Sequence, residues 1–225
     1  MIEKIINRLL FTSRKNLIAD MRLACRYNAD LMKLYLSVSN DQINYYKLLF
    51  AITLAANPSV VLELGTGPGL SSLAFARVIK YYRNAGSKNG VLHTCDMNPL
   101  MIEKLRRNIS FGDIIIPHAV STDELALQWA ESRTLIDILY IDACHSFEQS
   151  LLDFKNFSYY VQPNGMIIMH DTFPLTEEHE QQKYSGDAWK TPIHIKNNYS
   201  DDYEVMTIPY LCGICLLRKK GSKYF

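Results

Sequence analysis

The chain has 225 residues, 48% of them hydrophobic and 21% charged, with a formal net charge of +1. That length fits one domain with a substantial core, and the balance is that of an ordinary globular protein rather than a disordered one. It lacks the long basic run that electrostatic nucleic-acid binding needs, and no apolar run approaches the roughly 20 residues that span a bilayer.

Charged residues (Glu3, Lys4, Arg8, Arg14, Lys15) interrupt the N-terminal segment, so it does not read as a signal peptide. The five scattered cysteines suggest reduced thiols and a cytoplasmic setting. Cys212 and Cys215 form a C-x-x-C inside a strand-like run, where residues three apart face opposite sides; this spacing favours buried structural thiols.

Residues 1–57 read as helices. Ile2, Ile5, Ile6, Leu9 and Leu10 fall on one stripe, and Leu31, Leu34, Tyr35 and Val38 on another. Asp41 is a plausible N-cap for a further helix to about Ala56, closed by Asn57-Pro58. This region is expected to form a helical cap or lid, or to mediate homo-oligomerisation. Residues 58–225 are expected to form the main domain.

From residue 58 strands alternate with helices. Strands are expected at Ser59–Leu64, Val91–Cys95, Asp113–Ile116, Ile136–Ile141 and Met166–His170, with helices at about 69–83, 99–109, 122–131 and 146–160. Such alternation makes a parallel sheet covered on both faces. Tyr203–Ile208 and Gly213–Arg218 then read as a terminal antiparallel hairpin. The expected fold is α/β: a Rossmann-like, doubly wound, seven-stranded, mostly parallel sheet. Residues 171–200 read as a long polar loop after a strand C-terminus, where open α/β sheets bind ligands.

The stretch Val60–Ser72 joins an apolar strand to a helix across Gly65-Thr66-Gly67-Pro68-Gly69. Glycines there let the backbone approach a nucleotide-sized ligand. A dinucleotide site wants G-x-G-x-x-G, but here the third glycine comes one place early and Leu70 stands where it should be. Pro68 also removes a backbone donor. Glu63, just before the turn, is awkward beside a pyrophosphate and suited to a cationic ligand. An NAD-dependent oxidoreductase on a similar sheet is therefore the rival reading, not the favoured one.

Glu63-Leu64-Gly65-Thr66-Gly67-Pro68-Gly69 resembles the first motif of the class I S-adenosylmethionine-dependent methyltransferases. The resemblance implies a cofactor site of Glu63, Gly65, Thr66, Gly67 and Ser71. Asp96, which ends the second strand, would bind the ribose hydroxyls; Met97 would pack on the adenine, and Ser121 would contribute from the loop after the third strand. Ser121 also reads as a helix cap with Glu124 three residues on.

Two further strands end in acids: Ile136–Asp142, followed by His145, and Gly165–Asp171. Side by side, Asp142 and Asp171 would repel unless a proton or cation intervened. A hard divalent ion such as Mg²⁺ is a natural solution.

These stretches resemble the O-methyltransferases acting on sugars of macrolides and related natural products, as does Gly186-Asp187-Ala188-Trp189-Lys190. By that resemblance Asp142 and Asp171 are metal ligands, Asp142 also borders the cofactor, and His145 is the general base. The family's third ligand is missing beside Asp171, so either Thr172 or water completes the shell, a different metal is used, or no metal binds. His170 is expected to face away from Asp171 if the strand alternates. The implied reaction is metal-assisted methylation of a small-molecule hydroxyl; a non-catalytic S-adenosylmethionine-binding module is the other alternative.

Overall fold

The computed structural model describes residues 40–107, 111–181, 183–210 and 212–220. The chain divides into two compact units, Met1–Asn44 and Tyr45–Phe225, and all the described strands belong to the second. The helices expected before residue 40, and the surfaces they would offer, lie outside the described residues.

Helix α1 (Asn40–Ala56) ends where expected. Asn57 takes a left-handed φ of 46° and its N–H donates to the Thr53 carbonyl at 3.0 Å, which closes the last turn before Pro58. From there the order is β1 (Val60–Leu64), α2 (Leu70–Asn84), β2 (Val91–Cys95), α3 (Pro99–Arg106), β3 (Ile115–His118), α4 (Thr122–Ser132), β4 (Ile136–Ile141), α5 (Phe147–Phe157), β5 (Val161–His170), α6 (Lys190–Asn198), β6 (Tyr203–Ile208) and β7 (Ile214–Lys219).

The seven strands form one sheet in the order β3-β2-β1-β4-β5-β7-β6. The first five pair in parallel; β7 runs antiparallel to both β5 and β6. This is the expected doubly wound sheet with a terminal hairpin.

Both sheet faces are buried, because alternate residues of each central strand point to opposite cores. Leu62, Leu64, Leu139, Ile141, Ile167 and Met169 pack toward α4, α5 and α6. Val61, Leu92, Ile138, Tyr140 and Ile168 pack toward α1, α2 and α3. Tyr45 and Leu49 of α1 belong to that second core, so the helix is built into the unit from Tyr45 onward.

Three expectations are corrected. The third strand begins at Ile115 rather than Asp113, since Phe111–Ile114 makes a turn closed by the Ile114 N–H to the Phe111 carbonyl. The fifth strand starts five residues earlier, at Val161 rather than Met166; it pairs with Ile136 before an irregularity in the ladder. Residues 171–200 are not one polar loop: they contain a 3₁₀ turn at Glu177–Glu180 and helix α6, whose apolar Ile195 reaches the core.

Candidate active site

The β1–α2 turn is shaped first by its neighbours. Gly65 has φ 97°, and a Cβ there would lie 2.1 Å from the Asp142 carbonyl oxygen, so the chain leaving β1 can pass this close to the end of β4 only on glycine. The N–H groups of Gly65 and Thr66 both donate to the Cys95 carbonyl, at 3.1 and 3.0 Å. Gly67, with φ 48° and open space where a Cβ would stand, donates its N–H to Asp96 Oδ2 at 2.9 Å.

Glu63 does not stand at the ligand face. It is fully buried beneath the turn, where Oε1 accepts from Ser71 at 2.5 Å and Oε2 accepts from Thr94 at 2.5 Å and from Ser72. Burial pushes its carboxyl up to about 7, against the pull of the three hydroxyls. Ser71 and Thr66 are buried as well; Thr66 Oγ1 lies 2.7 Å from Thr94 Oγ1. The structure thus makes Glu63, Thr66 and Ser71 a brace for the turn. The suitability of Glu63 for a cationic ligand cannot act by direct contact, because hydroxyls fill its surroundings.

Asp96 stands on the open side. It borders a cleft with Gly65, Met97, Ser121, Ala143 and Cys144. Oδ2 takes the Gly67 N–H and Oδ1 takes the Asn98 N–H at 2.8 Å, which fixes the carboxylate and leaves each oxygen a further lone pair. The helix-cap role belongs to Asn98, whose side chain accepts from the Leu100 N–H, so Asp96 is spared it. Met97 is 76% exposed at the cleft. Ser121 caps α4 in a reciprocal capping box with Glu124 and borders the cleft at the same time.

The second cluster forms at the C-terminal ends of β4 and β5. Pairing of Ile141 with Met169 carries Asp142 level with His170, not with Asp171. Asp171 then takes a left-handed φ of 56°, which ends the strand's alternation and turns its carboxylate back toward its neighbour. His170 Nδ1 lies 3.2 Å from Asp142 Oδ1 and 3.5 Å from Asp171 Oδ2. The expectation that His170 faces away is overturned by this backbone reversal. His145 joins from the β4–α5 turn, with Nε2 3.2 Å from Asp171 Oδ2 and 4.0 Å from Asp142 Oδ1.

Every carboxylate oxygen is held. Tyr140 Oη donates to Asp142 Oδ2 at 2.8 Å, and the buried Tyr45 hydroxyl bonds to that of Tyr140. Tyr45 also places its ring 4.3 Å from the His170 ring. Ser185 donates to Asp171 Oδ1 at 2.8 Å. Burial works against charge on both His170 and Asp171, yet the mutual attraction wins: the acids hold the His170 imidazole well above its ordinary value, and the imidazoles hold the Asp171 carboxyl below its own.

Ligand atoms of Asp142, His170 and Asp171 all lie within 4.8 Å of one another, so this donor set fits a divalent cation. The third donor converging on the acids is an imidazole. Thr172 is buried, and its Oγ1 has no hydrogen-bond partner among the described residues.

The segment after β5 clamps the cluster. Asp187 accepts the Phe147 N–H at 2.7 Å and donates its own N–H to the His145 carbonyl at 3.1 Å, which ties it to the turn that carries His145. Sequence reasoning missed Tyr45, Tyr140 and Ser185. Tyr140 had a legible signal, since residues two apart on a strand share a face and Asp142 is two away. Tyr45 and Ser185 had none, because only long-range packing brings them in.

Residues 62–172 match a family model described as a methyltransferase domain. Residues 62–172 thus have the character of a methyltransferase domain, on a Rossmann-like methyltransferase fold. Solved methyltransferases share the fold at low identity. An SAH-bound methyltransferase of Podospora anserina is 16% identical with a TM-score of 0.61, over 89% of this chain and 96% of that one. An O-methyltransferase of Bacillus cereus in complex with SAH is 16% identical with a TM-score of 0.63, over 85% and 90%. The O-methyltransferase TomG of Streptomyces achromogenes, involved in tomaymycin synthesis and in complex with SAM, is 16% identical with a TM-score of 0.62, over 82% of each chain. A sequence search of curated proteins finds no match. No helix among the described residues is long and apolar enough to cross a membrane.

Proposed function

We propose that this methyltransferase methylates a hydroxyl of a small molecule, such as a sugar or natural product, with His145 as general base and a divalent cation assisting. One observation carries the reading: Ala143 and Cys144, which wall the Asp96 cleft, link Asp142 to His145, so the carboxylate–imidazole cluster begins where the cleft ends.

S-adenosylmethionine supplies an electrophilic sulfonium methyl group: the acceptor oxygen forms the new O–C bond as the S–C bond breaks, and the hydroxyl proton must leave. Asp96, fixed by the Gly67 and Asn98 N–H groups, would hold the ribose hydroxyls, with Met97 and Ser121 beside the adenine. Gly65 and Gly67 let the cofactor approach the backbone, while Glu63, Thr66 and Ser71 hold the turn from beneath. With His145 Nε2–H given to Asp171, Nδ1 is the nitrogen left with a lone pair, and it would take the proton. Asp171 orients that ring and balances the imidazolium that forms, itself steadied by Ser185.

Asp142, His170 and Asp171 would hold the cation, whose chemistry is to lower the pKa of a hydroxyl bound to it. Mg²⁺ prefers oxygen donors, so an imidazole in the set favours a borderline ion such as Fe²⁺ or Zn²⁺. Metal-free chemistry is the second reading, favoured by His170 itself: as an imidazolium it already balances the two acids.

Binding and turnover test these readings. S-adenosylhomocysteine should raise the melting temperature, Asp96→Ala should weaken that binding at least tenfold, and His145→Ala should spare it while abolishing turnover. Binding without any turnover would favour a non-catalytic module. Full activity after EDTA treatment would sink metal assistance and leave the imidazolium reading.

A further inference from the structure

Gln149, in the first turn of α5, lines the same cleft as Asp96, Met97, Val120 and Ser121. Its amide nitrogen is taken up by the protein. Nε2 donates to Thr122 Oγ1 at 3.1 Å, Asp123 Oδ1 at 3.2 Å and Asp153 Oδ1 at 3.0 Å, so two N–H bonds serve three acceptors. The opposite placement of the amide would set Oε1 against two carboxylate oxygens, lone pair against lone pair. These neighbours therefore fix which end is nitrogen and which is oxygen.

Asp153 makes the arrangement hard to undo. It stands one turn further along α5, fully buried, with Oδ2 unpartnered among the described residues. Gln149 and Thr122 are the side chains that hold its carboxylate. Turning the amide away would leave a buried acid still less satisfied, so the amide stays where it is.

Oε1 is the end left over. It accepts no hydrogen bond among the described residues and is not one of the buried unpartnered atoms there, so it keeps an open face. An amide oxygen only accepts, and its ligand must donate. Asp123 is the other acid at this part of the cleft, but it is exposed and its Oδ1 already accepts from Gln149.

A nucleoside whose ribose sits on Asp96 brings its base into the same cleft. Adenine offers one donor group, the exocyclic amine, while its unsubstituted ring nitrogens accept. We infer that Gln149 reads the base of the cofactor: Oε1 accepts from the adenine amine, and the site thereby disfavours a purine with a keto oxygen at that position. This rests on the methyltransferase reading and adds to it a specificity-determining residue.

The experiment is calorimetric binding of S-adenosylhomocysteine against S-inosylhomocysteine, in which a keto oxygen replaces the amine, to the full chain and to Gln149→Leu. The full chain should bind S-adenosylhomocysteine about tenfold more tightly or better, since a keto oxygen would meet Oε1 acceptor to acceptor. In the variant the preference should fall to about threefold or less, with S-adenosylhomocysteine weakened and S-inosylhomocysteine not. Loosening of α5 would weaken both ligands alike and leave their ratio, so the ratio reports the contact. Gln149→Asn, which withdraws the amide by one methylene, should lose the preference in the same way. Equal binding of the two ligands by the full chain, or a preference that survives both substitutions, would overturn the inference. Binding of neither ligand to the full chain would overturn it through the methyltransferase reading instead.

Discussion

Two groups of acids end neighbouring strands of this sheet, and they are neutralised in opposite ways. Glu63, in β1, is surrounded by the hydroxyls of Ser71, Ser72 and Thr94. Asp142 and Asp171, after β4 and β5, face the imidazoles of His145 and His170. Hydroxyls satisfy lone pairs but bring no charge, so burial prevails and the Glu63 carboxyl rises to about 7. The His170 imidazole brings charge, so Asp171 is held below its ordinary value although it is almost as deeply buried. A brace can be close to neutral. The site proposed to move a proton and hold a cation is better served by an Asp171 that stays ionised.

The largest effect should come from breaking the charged group. Asp171→Asn leaves the shape but removes the charge that orients His145 and balances His170; methyl transfer should fall about 100-fold or more, measured as kcat with binding of S-adenosylhomocysteine as control. Retention of more than a third of the activity would show that His145 does not depend on that carboxylate.

The neutral group should speak through stability. Glu63 has a folded value of about 7 against an ordinary 4.5, so between those values the folded state holds a proton that the unfolded state has lost. Its contribution therefore favours folding below about pH 4.5 and declines as pH rises to about 7, by about 3 kcal/mol in all. Glu63→Gln keeps acceptor and donor capacity without the charge. Urea denaturation should show the variant gaining on the parent chain from pH 5 to pH 8; parallel curves would mean the carboxyl is not held neutral.

The smallest effect should come from the hydroxyl chain that links the charged group to α1. Tyr140→Phe removes the donor to Asp142 Oδ2 and the partner of Tyr45. Loss of one such bond costs about 1 kcal/mol, and kcat should drop a few-fold as Asp142 loosens. If only stability moves and kcat holds, Tyr140 is a packing residue alone.

The sheet and the glycine turn between β1 and α2 were legible because their signals are local. Strand–helix alternation, the Gly65–Gly69 spacing and the acids ending β1, β2, β4 and β5 all repeat at short range, and pairing follows from them. Which acid faces the cleft was not legible, since Glu63, read as suited to a cationic ligand, and Asp96, read as the ribose acid, were both expected at the ligand. Only the fold shows that one is sealed under the turn by three hydroxyls and the other borders the cleft.

The same division runs through the charged cluster. The sequence by itself determined that Asp142, His145 and Asp171 come to one edge of the sheet, because parallel strands align their C-terminal ends. The tertiary structure decided the rest. Strand register set Asp142 beside His170, a left-handed backbone at Asp171 undid the alternation that would have separated it from that histidine, and Tyr45 and Ser185 arrived from distant parts of the chain. Alternation and turn chemistry are properties of a few consecutive residues, whereas register, backbone reversal and long-range hydrogen bonds are settled only when whole elements pack.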